Sequence, residues 1–323
     1  MRDHFRFSCP RRPAGSRAKT TLLAITLTLS VLAVGCGTAA PQAPARPQAT
    51  GPPQATGVPR ATAPSPATGR SRSPATLPSR ATAAPQAATR SHPLRPPHVS
   101  ATQLARLPMA TTYATTPTAP QDPAPFEAET GTVLHPTATR VIYTRPGGPA
   151  EATLPATELG SPTWVPVVQS QPGWDRILLP TRPNRSTGWI YLSGGGLRIA
   201  YTAYRVEVSL STYRLTILDA GHSLGTWTVA DGAAGTPTPA GRTFLLASLA
   251  PQHPTYSPLI LPLGAHSNTL STYGGGPGTV GLHGWPDPAV FGHAASHGCV
   301  RVPAAALRAL SRIPLGSPVM ITG

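Results

Sequence analysis

Charge is scarce in this 323-residue chain: Asp, Glu, Lys and Arg together make up 11% of it, and lysine occurs once, at Lys19. A packed domain of that length is normally about a quarter charged and far poorer in proline. With 42 prolines as well, a single large globular unit is excluded. Aromatics are few and unevenly placed. Only Phe5, Phe7 and Tyr113 precede Phe126, and all five tryptophans follow it. Residues 1–125 hold 21 of the 42 prolines, so the folded part is expected to begin near Phe126.

Acidic residues are also few, and what charge exists is basic. Residues 1–129 carry 14 basic and 4 acidic groups, and residues 130–323 carry 12 Arg and 7 acids, within a formal net charge of +15. Residues 130–323 show no clustered Arg or Lys, which nucleic-acid binding would require of the folded portion, so no nucleic-acid partner is expected. The basic front suits an anionic matrix or membrane surface instead.

The front reads as an export signal. Arg2, Arg6, Arg11, Arg12, Arg17 and Lys19 precede an apolar run over residues 20–35 (TTLLAITLTLSVLAVG), which is too short to span a bilayer comfortably. It ends in Ala33-Val34-Gly35-Cys36, which resembles a bacterial lipobox. That resemblance implies that Cys36 is diacylated and becomes the first mature residue, anchoring the chain to the cell membrane. Ordinary signal cleavage beside an incidental cysteine is the other reading of these residues. The chain is expected to be exported in either case, to the outer face of the cytoplasmic membrane or the cell wall.

Cysteine is scarcer still, with three in all. Cys9 falls in the removed segment and Cys36 at the lipidation or cleavage site, which leaves Cys299 alone. An unpaired thiol in an oxidising compartment needs a chemical reason to be there.

Residues 37–125 repeat Pro, Ala, Thr, Ser and Arg without apolar periodicity and read as a disordered stalk. Extended as polyproline, about 90 such residues would reach roughly 280 Å. Residues 126–197 read as a small β-module, with apolar runs over 140–144, 163–169, 174–179 and 187–192 between Gly, Pro and Asn turns. The phrases around Gly173-Trp174-Asp175 and Thr187-Gly188-Trp189-Ile190 resemble bacterial SH3-like modules of wall enzymes. Trp174 and Trp189 read equally well as wall-binding aromatics or as core.

Residues 198–323 read as the catalytic region, and from Tyr204 onward the pattern alternates strongly in polarity. Strands are expected over 205–209, 213–218, 224–229, 243–246, 280–284 and 318–321, with one short helix over 304–312 after Pro303. Two pieces of this region carry chemistry: His283-Gly284, and the string Ser296-His297-Gly298-Cys299-Val300-Arg301. An unperturbed thiol is only a few per cent ionised at neutral pH. A nearby imidazole can take its proton and later pass it to a leaving amine. His297 lies two residues from Cys299, whereas His283 arrives on another strand and can approach the sulfur directly, so His283 is the expected base. Gly298 can adopt backbone angles that aim N–H groups at an oxyanion.

Residues 203–323, through this string with His-Gly upstream and Thr236-Pro237-Thr238-Pro239-Ala240-Gly241, resemble the L,D-transpeptidase (YkuD-type) family. Arg301 stands where many members carry Asn, which is similar to a shorter-loop branch. The resemblance implies a mostly β architecture: a YkuD-type β-sandwich catalytic domain with one short helix, behind a small SH3-like barrel and the stalk. It implies Cys299 as nucleophile, His283 as general base and the Gly284 carbonyl as the group orienting it. It further implies an oxyanion hole around His297, Gly298 and Cys299, with Ser296 beside it. Arg301 would hold the loop or bind a substrate carboxylate. The implied partner is the peptidoglycan stem peptide, with D-alanine released, 3→3 cross-links formed and carbapenems acylating the same thiol; no cofactor or metal is implied.

Two other readings stay open at this level: an L,D-carboxypeptidase with water as acceptor, and a lipid-anchored wall-binding protein with a degenerate catalytic fold. A zinc set of His283, His293, His297 and Cys299 matches no common spacing. His253, His266 and His293 read as loop residues.

Overall fold

Residues 93–323 are described by the computed structural model. The signal segment, Cys36 and residues 37–92 of the expected stalk lie outside the described residues.

The first half builds a seven-stranded sheet from short segments rich in Val, Ile, Thr and Trp, residue types that fit a pleated, half-buried surface. Its spatial order is Ala150–Leu154, Arg140–Tyr143, Thr187–Tyr191, Trp174–Leu178, Val165–Gln171, Thr132–Pro136 and Leu197–Tyr201. All neighbours run antiparallel. Gln171 pairs with Trp174 across a two-residue turn. Gly173 there has φ +79°, and a Cβ on it would sit 2.5 Å from Pro93, so only glycine fits. Leu134, Ile142, Val165, Ile177 and Ile190 form the core of this half. Trp174 is 0% exposed and Trp189 5%, with Tyr143 edge-on to Trp174 at 5.2 Å. Both tryptophans are core, and the wall-binding reading of them fails because no face is left to bind with.

Two sequence-based boundaries move. Residues 93–125, expected to be stalk, pack against the sheet. The Trp174 indole donates to the Leu94 carbonyl at 2.7 Å, and Ala110 and Ala119 are buried. Backbone bridges join Met109 to Thr153, Thr115 to Arg182 and Gln121 to Ser186. A segment held by main-chain hydrogen bonds and small buried alanines has no apolar periodicity to betray it. The strand Leu197–Tyr201 crosses the expected boundary at 197/198 and pairs with Thr132–Pro136.

The second half is two sheets and a helix around one core. The five-stranded sheet has the order His222–Thr228, Arg214–Asp219, Tyr204–Ser209, Pro318–Thr322 and Gly241–Phe244. The three-stranded sheet has the order Ile260–His266, Thr279–Gly284 and Val300–Val302. Val206, Val208, Leu215 and Ile217 from the first meet Leu261, Leu263, Leu282 and Val300 from the second, with Leu307 and Leu310 of the helix Ala304–Leu310. The strand Ile260–His266 went unpredicted because Pro262 and Gly264 interrupt its pattern, and its pairing shifts register between Pro262 and His266. His266 is therefore a buried strand residue and not a loop residue.

The two halves share a core. Phe244 and Leu246 belong to the same buried cluster as Leu134 and Ile142, and the described residues 93–323 fall in one compact unit. The buried Asp122 carboxylate accepts two hydrogen bonds from Arg242, at 2.6 and 2.7 Å.

Candidate active site

The three-stranded sheet brings the two chemical pieces together. Thr279–Gly284 and Val300–Val302 run parallel, with Leu282 beside Val300 and His283 beside Arg301. One step earlier in that register, Cys299 stands next to Gly281, two residues before His283 on the neighbouring strand. Side chains of residues two apart share a face of a strand, and both Cys299 and His283 line one cavity of about 310 Å³.

His283 is buried, and its Nδ1 lies 2.8 Å from the Gly284 carbonyl oxygen. A carbonyl only accepts, so Nδ1 carries the proton and the neutral ring keeps its lone pair on Nε2. The Gly284 amide donates to Ser257 Oγ at 2.7 Å, and the Ser257 hydroxyl donates to the Leu259 carbonyl at 2.6 Å. The group that orients the imidazole is thereby itself held.

The segment before Cys299 is a tight turn and not an extended strand. Ser296 Oγ donates to the Cys299 carbonyl at 2.5 Å and accepts the Gly298 N–H at 3.0 Å. Gly298 has φ +115°, a region a side chain would strain. Thr236 Oγ1 donates to the Ser296 carbonyl and Thr238 Oγ1 to the Gly298 carbonyl, both at 2.9 Å. The Thr-Pro-Thr-Pro stretch thus fastens the cysteine turn. This corrects the oxyanion expectation: the Gly298 N–H is taken by Ser296. Among the described residues, the His297 and Cys299 amides have no protein acceptor.

His297 is exposed and faces Tyr273, its Nδ1 3.4 Å from the Tyr273 hydroxyl, and both residues line the same cavity as Cys299. Arg301 places its guanidinium 3.6 Å from the centre of the Trp285 ring and donates to the Ala295 carbonyl at 3.0 Å. It is tied to the loop before Cys299 and also lines the cavity. Tyr256 meets His283 edge-on at 4.9 Å. Tyr256, Tyr273 and Trp285 were missed because they sit in loops without periodicity. Only Trp285, directly after His283-Gly284, offered a signal. Thr112, Tyr113 and Leu159 also line the cavity, although they lie outside the expected catalytic domain.

Burial governs the electrostatics. It lowers the basicity of His283, an effect Gly284 opposes and Arg301 reinforces. It raises the Cys299 thiol above its ordinary value, against smaller pulls from the Gly281 backbone and Arg301. Both shifts favour a neutral thiol beside a neutral imidazole.

Comparison with solved structures gives partial likenesses. L,D-transpeptidase 3 from Mycobacterium tuberculosis, in complex with a faropenem-derived adduct, is 14% identical over 43% of this chain and 74% of its own, with a TM-score of 0.32. The catalytic domain of an E. faecium L,D-transpeptidase is 21% identical over 36% of this chain and 95% of its own, with a TM-score of 0.30. An L,D-transpeptidase from Xylanimonas cellulosilytica is 22% identical over 38% of this chain and 61% of its own, with a TM-score of 0.28. No curated protein matches the chain. Residues 203–321 match the family model of YkuD, the L,D-transpeptidase catalytic domain.

Proposed function

We propose that the protein is a cysteine-dependent peptidoglycan L,D-transpeptidase that forms 3→3 cross-links and releases D-alanine. The observation that carries this is the placement of Cys299 and His283 in one cavity, with Nδ1 of His283 committed to Gly284, inside a stretch that matches the family. In the first step the Cys299 sulfur attacks the carbonyl carbon that joins the L-centre of a diamino acid to D-alanine. The thiol proton passes to Nε2 of His283 and then to the departing amine. The His297 and Cys299 amides are the donors for the oxyanion. In the second step a side-chain amine of a neighbouring stem attacks the thioester. His283 takes the amine proton and returns it to the sulfur, leaving an amide cross-link and the free enzyme.

The same reading has Cys36 lipidated, the chain exported and tethered to the outer face of the membrane, and carbapenems acylating Cys299. Mass spectrometry of the purified chain with wall disaccharide-tetrapeptide, beside Cys299→Ala, tests it. Cysteine-dependent loss of D-alanine with a dimer product is expected. Loss without dimer would make the protein a carboxypeptidase, and an unchanged tetrapeptide would leave a wall-binding protein.

A further inference from the structure

One wall of the Cys299 cleft is not made by the matched domain. Thr112 and Tyr113 come from the segment before the first sheet, and Leu159 comes from that sheet's half of the molecule. The segment is tied down on both sides of Tyr113. The Ala110 amide donates to the Thr153 carbonyl at 2.7 Å, and the Thr116 amide donates to the Arg182 carbonyl at 2.7 Å. The Thr112 amide donates to the Glu158 carboxylate, and the Thr112 hydroxyl lies 2.6 Å from Thr279 Oγ1. Thr279 begins the strand that carries His283.

Between these anchors Thr112 is 1% exposed and Thr116 0%, yet Tyr113 is 67% exposed. Folding makes little use of this ring. It is an apolar body with a polar tip, on a fixed backbone, at the edge of the cleft that holds the nucleophile. Such rigid aromatic groups supply contact area at low entropy cost and dominate recognition surfaces. The loop that carries Tyr273, another lining residue, is held by Arg182, whose guanidinium donates to the carbonyls of Ser267, Leu270 and Pro277 at 2.8–3.0 Å. The first half of the molecule therefore both lines the cleft and braces a lining loop of the second half.

We propose that residues 109–116 with Leu159 form a substrate-recognition wall, and that the Tyr113 ring contacts the peptide part of the stem. Of its lining residues Tyr113 and Leu159 offer apolar surface, which suits alanine methyls and amide planes. This deepens the transpeptidase reading and rests on it for the identity of the substrate.

Binding is measured by calorimetry in the full chain carrying Cys299→Ala, with and without Tyr113→Ala, using the free tetrapeptide and the disaccharide-tetrapeptide as probes. Loss of a ring contact worth about 1 kcal/mol weakens binding roughly fivefold. The expected result is that weakening with both probes. Equal affinities with and without Tyr113→Ala would overturn the proposal, and so would weakening confined to the disaccharide probe, which would make the ring a sugar contact. Separately, iodoacetamide alkylation of Cys299 in Tyr113→Ala should match wild type within about twofold, since a small reagent needs no wall. A parallel loss of alkylation would mean that the ring supports the nucleophile, which also overturns it. Binding is read without turnover. A wild-type chain that binds but fails to cross-link would therefore sink the reaction and leave the wall standing.

Discussion

The Nε2–H of His266 donates to the Thr112 carbonyl at 2.7 Å, across 154 positions of sequence. The bond joins the segment before the first sheet to the strand Ile260–His266, which pairs with the strand of His283. It also settles the tautomer, because a carbonyl accepts only from a protonated nitrogen. Nδ1 is left buried without a partner, and burial pushes the imidazole down to about 4. The order of the cleft thus depends on residues the catalytic motif does not include.

The pairing of Asp122 with Arg242 makes that dependence measurable. Both side chains are buried and the contact is bidentate. Asp122→Ala strands a buried guanidinium and is expected to cost about 3–5 kcal/mol in chemical denaturation. Asp122→Ala with Arg242→Met removes both charges and should recover most of that loss. A double variant as unstable as the single one would show that the lost packing, and not the stranded charge, sets the cost.

Glu158 gives a pH signature. Burial raises its carboxyl from 4.5 to about 7, against the Thr112 amide that stabilises the ionised form. A group with a raised folded value adds stability that is full below about 4.5 and is lost as pH rises through about 7. Glu158→Gln keeps a carbonyl for Thr112 and removes the ionisation. It should be more stable than wild type by about 1–3 kcal/mol at pH 8, with the gain gone by pH 5. A gain equal at both pH values would show that the carboxyl titrates normally. His266 acts with the opposite sign: its depressed folded value means stability falls as pH drops from about 6.5 to about 4. The Gln variant should therefore lose stability more steeply than wild type on acidification.

At Cys299 and His283, burial favours the neutral thiol and the neutral imidazole. Alkylation of Cys299 by iodoacetamide is expected to be slower at pH 7 than that of a free cysteine peptide, and to rise about tenfold per pH unit beyond pH 8. A rate that is flat between pH 6 and pH 8 would instead reveal a preformed thiolate–imidazolium pair.

The cysteine turn rests on Ser296. Replacing it with alanine leaves the Gly298 N–H and the Cys299 carbonyl without their partner. A stability loss of about 1–3 kcal/mol is expected. Acylation by a β-lactam should slow by roughly tenfold or more, as the amides of the turn lose their aim. Unchanged acylation would mean that the Thr236 and Thr238 hydroxyls hold the turn without it.

The local string from Ser296 to Arg301, with His283-Gly284 upstream, marked Cys299 and His283 as the candidate pair by residue type and spacing, while the orienting role of the Gly284 carbonyl was implied only by the family resemblance; the structure places that oxygen 2.8 Å from His283 Nδ1. Alternating polarity over residues 205–209 likewise marked a strand with one face in the core and the other outside it. Other features were settled only in three dimensions. The Gly298 amide is lost to Ser296, a partner choice that depends on the turn's dihedral angles. The strand Ile260–His266, broken by Pro262 and Gly264, exists because neighbouring strands and the buried core complete it. Residues 93–125 look like stalk by composition, since backbone hydrogen bonds and buried alanines leave no pattern in the sequence. Their place beside Cys299 follows from contacts made across more than a hundred residues, such as Thr112 with His266 and Asp122 with Arg242. Pairings at that range are selected by the packed fold as a whole, and no local propensity encodes them.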